Sequence, residues 1–488
     1  MAKLETKSIR NVNNGIMQGV DNLIGEASSS VKFALNFHFD KEIGRAVLRN
    51  GTALVGSQIV NEQEILGLHQ FIISGAKYFL AVVNGASNSA LYRLIDTTWT
   101  TESVSGVADV KHRFLTYLKT VMVLDGTNQT SSADGDTWVT TGGNLDIGNC
   151  PAGNLAIEWH DRVYVAGVSS YEDRLYYSSI PTAGAISWTS GNGHIDIEPY
   201  EGQGLITGLA KVPGYLLIFK ERALKRWNGS STFPDDLEIL GSPSQEAIVN
   251  TGKTVMYFSA GYKDSVGFYE TNGNETRKIS RAIQEIVEGI SSSYYSDVAG
   301  FSNGEYVQWS IGTITFDEID YSNVVARYHI STHTWQVFNY PTQYKVFSPY
   351  ISGTEVSPVL KITAGNDDGE IIELGTGTMD NITGSSNLGI EYVLQYFPLE
   401  LGSRTKLKDI SKVATYTKMG IDTGISVRID EKGNFKPIGV VTDDFENEIN
   451  CELRGHTFEV KFSGISKIGC EIIGLDLIYP EISESIKQ

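Results

Sequence analysis

A chain of 488 residues with 58 acidic and 39 basic side chains carries a formal net charge of −19, which excludes the broad cationic surface that drives counterion release on nucleic acid. Fifty glycines against twelve prolines, with 24 tyrosines, describe a turn-rich β protein rather than a disordered chain. No apolar stretch approaches the roughly 20 residues a membrane helix needs and MAKLETKSIRNVNN holds no signal-peptide core, so a cytosol-like setting is expected.

Residues 1–30 read as an irregular arm, and 31–386 as one β-propeller. The strand at 33–40 is expected to complete a blade begun by the later chain, which removes an exposed edge. Seven apolar runs of β type then recur, at 79–83, 121–124, 163–166, 215–219, 255–258, 307–309 and 359–362. Their closing residues, Gly85, Gly126, Gly167, Lys220, Gly261, Gly312 and Gly365, are separated by 41, 41, 53, 41, 51 and 53 positions by subtraction. A four-stranded blade takes about 40 to 50 residues, so the period predicts an irregular propeller of six to seven blades. A second amphipathic strand follows most of the turns, at 91–94, 175–177, 224–227, 267–270, 325–330 and 371–374. Trp99, Trp138, Trp188, Trp227 and Trp335 fall late in their repeats, where a large ring fills the gap between adjacent blades.

Within the repeats, SSADGDTW at 131–138 is close to the Asp-box hairpin but lacks one residue between Asp134 and Trp138; even a full Asp box is a structural turn. At 280–290, Ile283, Ile286, Val287 and Ile290 follow helical spacing with Ser280 placed as cap, a short helix inserted on the propeller rim. His329 and His333 share one face only in a helix, and VARYHISTHTWQVF reads as strand, turn, strand, which favours core or surface roles over a metal site. In NDDGE at 366–370, the Asp-Gly pair is what a tight hairpin requires, with calcium as the alternative. No phosphate-cradling loop, zinc-protease helix or nucleophile elbow is present, and catalytic, cofactor-binding and metal residues are all expected to be absent. Glycan hydrolysis needs clustered carboxylates and arginines whose convergence a sequence does not display.

After about residue 387 the blade spacing stops while strand-like alternation continues, which predicts a separate C-terminal β-sandwich over 387–488. Its segment RTKLKDISK, with Arg404, Lys406, Lys408 and Lys412, stands out against the acidic whole. It is either a solvated loop or a contact for DNA or an acidic neighbouring subunit. Cys150, Cys451 and Cys470 have no metal-type spacing and read as buried thiols.

Four stretches, in order along the chain, resemble the tail hub or nozzle proteins of tailed bacteriophages, including the packaged-DNA stabilisation type of short-tailed phages. They are the arm and strands at 15–51 (GEASSS, NFHFD, GRAVLRNG), YLLIFKERALKRWNG at 215–229, RKISRAIQEIVEGISSSYYSDVAGF at 277–301 and GISKIGCEIIGLDLIYPE at 464–481. The resemblance implies a non-enzymatic virion protein, assembled in the host cytoplasm, that forms a homo-oligomeric ring, typically a hexamer, in the tail. Adaptor or portal-proximal rings and other tail proteins are its implied partners, with transient contact to the duplex DNA it retains and releases. A propeller that binds a receptor or glycan as a tail component is the alternative.

Overall fold

The computed structural model describes residues 4–480 apart from 10, 11, 13, 19–29, 41–43, 198–203, 232–233, 263–264, 354–357, 402–406, 419 and 421. Among the described residues, seven antiparallel groups of three or four strands follow one another along the chain. Blade one is Ile65–Ile73, Ala76–Val83, Asn88–Ile95 and Thr98–Val107; blade two is Arg113–Tyr117, Thr120–Leu124 and Gln129–Ser132. Blade three is Leu155–Trp159, Arg162–Ala166, Arg174–Tyr177 and Gly193–Asp196; blade four is Ile206–Val212, Tyr215–Lys220, Leu224–Trp227 and Asp235–Glu238. Blade five is Ile248–Asn250, Val255–Ser259, Gly267–Thr271 and Thr276–Lys278; blade six is Ala299–Ser302, Tyr306–Phe316, Ile319–His329 and Trp335–Asn339. Blade seven is Tyr344–Gly353, Pro358–Asn366 and Ile371–Leu374, completed on its outer edge by Thr52–Leu54.

Each of the seven apolar runs is the second strand of a blade. Blades pack face to face, so that strand is covered on both sides and its apolar residues are continuous rather than alternating, as in Thr120–Leu124, which is buried throughout; blade seven departs from this, with Val359 and Leu360 about half exposed. Seven apolar clusters result, one between each pair of neighbours. The innermost strands pack in chain order and blade seven returns to blade one. There the Gln70 amide bonds the backbone of Ile351 in both directions, at 2.7 and 3.1 Å. Gln245 forms the same two-way bond with Leu209, between blades four and five.

Strand 33–40 does not close the ring. Phe33–Leu35 and Phe37–Asp40 enter a β-sandwich instead, and Thr52–Leu54 supplies the closing strand. Both stretches are apolar enough for either place, and Phe33, Phe37 and Phe39 are buried in the core that the sandwich shares with blades five and six. One sandwich sheet runs Phe37–Asp40, Arg45–Leu48, Glu471–Pro480, Lys408–Lys418 and Phe445–Gly455, with Leu4–Ile9 also on Glu471–Pro480. The other runs Phe33–Leu35, Ile390–Gln395, Thr457–Ser466, Gly424–Ile429 and Lys432–Val440. It joins blade six through a parallel pairing of Leu35 with Val337, which makes one ten-stranded sheet. The boundary expected at residue 31 is therefore displaced: 33–48 belong with the C-terminal strands.

The inserted helix is shorter than its spacing suggests, a 3-10 turn over Ser280–Ile283 leading to α-helix Gln284–Glu288. Ile283, Ile286, Val287 and Ile290 are buried as expected. Ser280 is not its cap, because its Oγ accepts from Phe268 N at 3.1 Å. Gln18, from the N-terminal arm, accepts instead from Glu285 N and Ile286 N at 2.9 and 3.3 Å.

Candidate functional site

The five tryptophans lie in the clusters between blades. Trp99 rests on Phe79 and donates to Val55 O at 3.1 Å, tying blade one to the closing strand of blade seven. Trp138, half-buried, packs between blades one and two, and Trp188 between two and three, donating to Leu145 O at 3.1 Å. Trp227 of blade four meets Trp159 and Tyr164 of blade three. Trp335 of blade six meets Phe268 of blade five and donates to Ile279 O at 3.0 Å. Trp159 and Trp309 pack in the same way but fall early in their repeats, Trp309 within the run at 307–309, and neither is among the late rings.

Arg404 and Lys406 lie outside the described residues. Lys408 stands 5.8 Å over the Tyr479 ring and Lys412 pairs with Glu448 at 2.8 Å. His329 reaches Glu305 at 3.1 Å while His333 reaches the Tyr328 hydroxyl at 2.7 Å, giving the two rings separate partners. In the 366–370 hairpin Asn366 Oδ1 accepts from Asp368 N and Glu370 N, and Asn366 Nδ2 donates to the buried Glu370 carboxylate at 2.8 Å. Gly369 holds φ +74°, and a Cβ there would come 1.9 Å from Val60 O, so this turn needs glycine. At 131–138 the Asp134 carboxylate accepts from Asp136 N and Thr137 N, which fixes a turn.

The centre of the propeller is a narrow cavity of about 210 Å³ lined by inner strands of blades one, two, five, six and seven. Arg113 of blade two is ion-paired there with Glu246, just ahead of blade five. Burial alone would raise the Glu246 pKa, but the Arg113 guanidinium, aided by the charge of Lys111, outweighs it and holds the carboxyl below its ordinary range.

A wider cleft, of about 540 Å³, opens between blades six and seven. Arg327 lines it, and Gln308, Arg327 and Gln336 form one row, since Arg327 is in register with both amides. The Arg327 guanidinium lies between the rings of Tyr306 and Phe338, at 4.0 and 4.5 Å. Arg49 lies under the Tyr340 ring at 4.2 Å and is held by Asp380. His38 bonds Gln336 at 3.2 Å, and burial, then the charges of Arg327 and Arg49, push its ring pKa down to about 3.

The ring of His38 is thus neutral at pH 7 in the folded chain. Below about pH 6.5 the unfolded chain takes up a proton that the folded one refuses until about pH 3, so stability is lost across that window as pH falls. In urea titrations His38→Asn should make the acid-side slope shallower by up to about 1.4 kcal/mol per pH unit. An unchanged slope would show that His38 is not the group refusing the proton.

A third feature lies at one end of the sandwich. Residue pairings of Lys418 with Glu471, Thr417 with Phe445 and Gly424 with both Val440 and Ser463 bring 417–418 and 424 together with 440–445 and 463–471. Val440, Phe445, Ile465 and Ile468 stand 50–70% exposed there. Phe445 also holds φ 79°, a conformation that costs an aromatic residue energy.

No protein-family model and no curated protein matches the chain. Among solved structures it is similar to the N-terminal domain of Nup159, at 10% identity and a TM-score of 0.38, over 67% of this chain and 95% of that one. A chain in a complex of S. cerevisiae Dbp5 with Nup159, Gle1, IP6 and ADP matches at 11% identity and a TM-score of 0.37, over 67% and 96%. A glycoside hydrolase matches at 10% identity and a TM-score of 0.25, over 88% and 99%.

Proposed function

We propose that the chain is a structural subunit of a bacteriophage tail, of the nozzle or hub type, that works by building a ring rather than by chemistry. The observation that carries the reading is the apolar end of the sandwich, where four large side chains, the strained Phe445 among them, stand in water. Such a patch on a chain of net charge −19 is what a subunit interface leaves exposed when the subunit is alone. The Arg113–Glu246 pair across the propeller centre supports a further point: the passage for duplex DNA is the lumen between subunits, not the hole of each propeller. Adaptor or portal-proximal rings above and other tail proteins below are the partners this role requires, with assembly in the host cytoplasm and final residence in the virion tail.

The purified chain should form closed rings in negative-stain images. Burying a large apolar side chain contributes about 1.5–3 kcal/mol, so Phe445→Asp with Ile468→Asp should weaken association more than about a hundredfold while the urea midpoint holds. A wild-type chain that stays monomeric at its highest soluble concentration, or forms trimers that bind cells, would overturn the ring. An acidic lumen repels phosphate and lets a duplex slide. The assembled ring should therefore bind linear duplex weakly and lose that binding steeply with salt, and tight binding at physiological salt would contradict this role.

A further inference from the structure

Five lysines and arginines are buried among the described residues: Arg49, Lys220, Lys225, Arg327 and Arg428. Four have a carboxylate in contact, because a cation taken out of water is costly unless an anion goes with it. Arg49 meets Asp380, Lys220 meets Asp173, Lys225 meets Asp236, and Arg428 meets Glu459 and Asp317. Arg327 is the exception. Its one polar partner is the neutral Gln308 amide oxygen, at 3.0 and 3.3 Å from Nη2 and Nε, and no described carboxylate reaches it.

The surroundings of Arg327 say what is missing. The Tyr306 and Phe338 rings both lie against the guanidinium carbon, which leaves its edge for polar contact, and Nη1 has no hydrogen-bond partner among the described residues. A planar carboxylate matches such an edge with two parallel hydrogen bonds. The cleft that Arg327 lines lies within the 300–1,000 Å³ typical of small-molecule sites. Its other lining is mixed: Asn50 and Asn303, the Tyr306 and Tyr340 rings, and the exposed side chain of Leu360. Lys361 adds no free charge because it pairs with Glu373 at 2.7 Å. One unbalanced positive charge, amides and aromatic rings together suit a ligand with one carboxylate on a hydroxyl-bearing body.

We propose that the cleft between blades six and seven binds a small acidic sugar, whose carboxylate takes the open edge of the Arg327 guanidinium and serves as its counter-ion. The cleft lies within a single chain, so the site needs no ring and stands or falls apart from ring assembly.

Glucuronate titrated into the full chain at constant ionic strength, followed by calorimetry, tests this against glucose and sodium sulfate. Glucuronate should bind saturably and at least about tenfold more tightly than glucose or sulfate, a gap of about 1.4 kcal/mol. Arg327→Gln should abolish the preference for glucuronate. Leu360→Glu, which places a carboxylate on the exposed wall and leaves Arg327 in place, should weaken glucuronate at least tenfold with an unchanged melting curve, and decides the matter if Arg327→Gln fails to fold. Absent or equal binding of glucuronate and glucose, sulfate binding as tightly as glucuronate, or full affinity in Leu360→Glu would each overturn the proposal.

Discussion

Trp335→Ala should lower the unfolding free energy by about 3–5 kcal/mol, the range for a large aromatic ring lost from a core. The ring is fully buried, its Nε1 donates to Ile279 O, and it contacts Phe268, Tyr328 and Trp309 with centroids at 5.3, 5.0 and 6.1 Å. Its own carbonyl accepts from Ile16 N of the N-terminal arm at 3.4 Å. Blades five and six, the inserted helix, the arm and the sandwich share this one core, so a cavity here has walls fixed from several directions and little room to collapse. Trp227→Ala should fall at the lower end of the same range, because that ring is 8% exposed and sits between two blades only. Urea titrations read both values. A loss under about 1 kcal/mol for Trp335→Ala would mean that the core repacks and that the coupling of propeller to sandwich is weak.

Asp380→Asn is expected to cost about as much, about 3–5 kcal/mol, by leaving Arg49 buried without its counter-ion. All five guanidinium N–H groups of Arg49 are used. Nε donates to Asn36 Oδ1 at 2.8 Å, Nη1 to Asn50 O and Asp380 Oδ1 at 2.9 Å each, and Nη2 to Asn339 O at 2.8 Å and Asp380 Oδ2 at 2.6 Å. Burial pulls the Arg49 pKa down, but the Asp380 hydrogen bonds together with the charges of Tyr340, Asp380 and Tyr344 outweigh it and the net shift is upward. The same side chain joins the start of the closing strand, blade six, the sandwich strand near Asn36 and the segment after blade seven. Losing its anion should therefore loosen ring closure as well as stability, visible as faster amide exchange at Thr52–Leu54. The double change Arg49→Met with Asp380→Leu should cost less than Asp380→Asn alone, since no unpaired charge remains. Equal costs for the single and double changes would assign the loss to packing rather than to the stranded charge.

Much of the propeller was legible because its cause is local. Strands covered on both faces must be apolar without interruption, so six of the seven runs marked second strands for that reason, the seventh being half exposed at Val359 and Leu360, and their turns set the period. The late tryptophans were equally readable, as large rings at repeat ends. Six or seven blades stayed open in the sequence because blade two has three paired strands and blade seven borrows its fourth from residues 52–54.

Tertiary structure alone decided the partners of those strands. Strand 33–40 and strand 52–54 offer similar apolar faces, and only the burial of three phenylalanines in the shared core assigned the first to the sandwich and left the second to close the ring. The cleft was invisible for a related reason. Arg327 is one arginine in an apolar strand, and nothing local distinguishes it from one whose carboxylate arrives from afar, as Asp380 reaches Arg49 across 331 positions. Pattern determined the fold because burial of neighbouring residues is a near-neighbour property; the site depended on which distant charges did and did not meet.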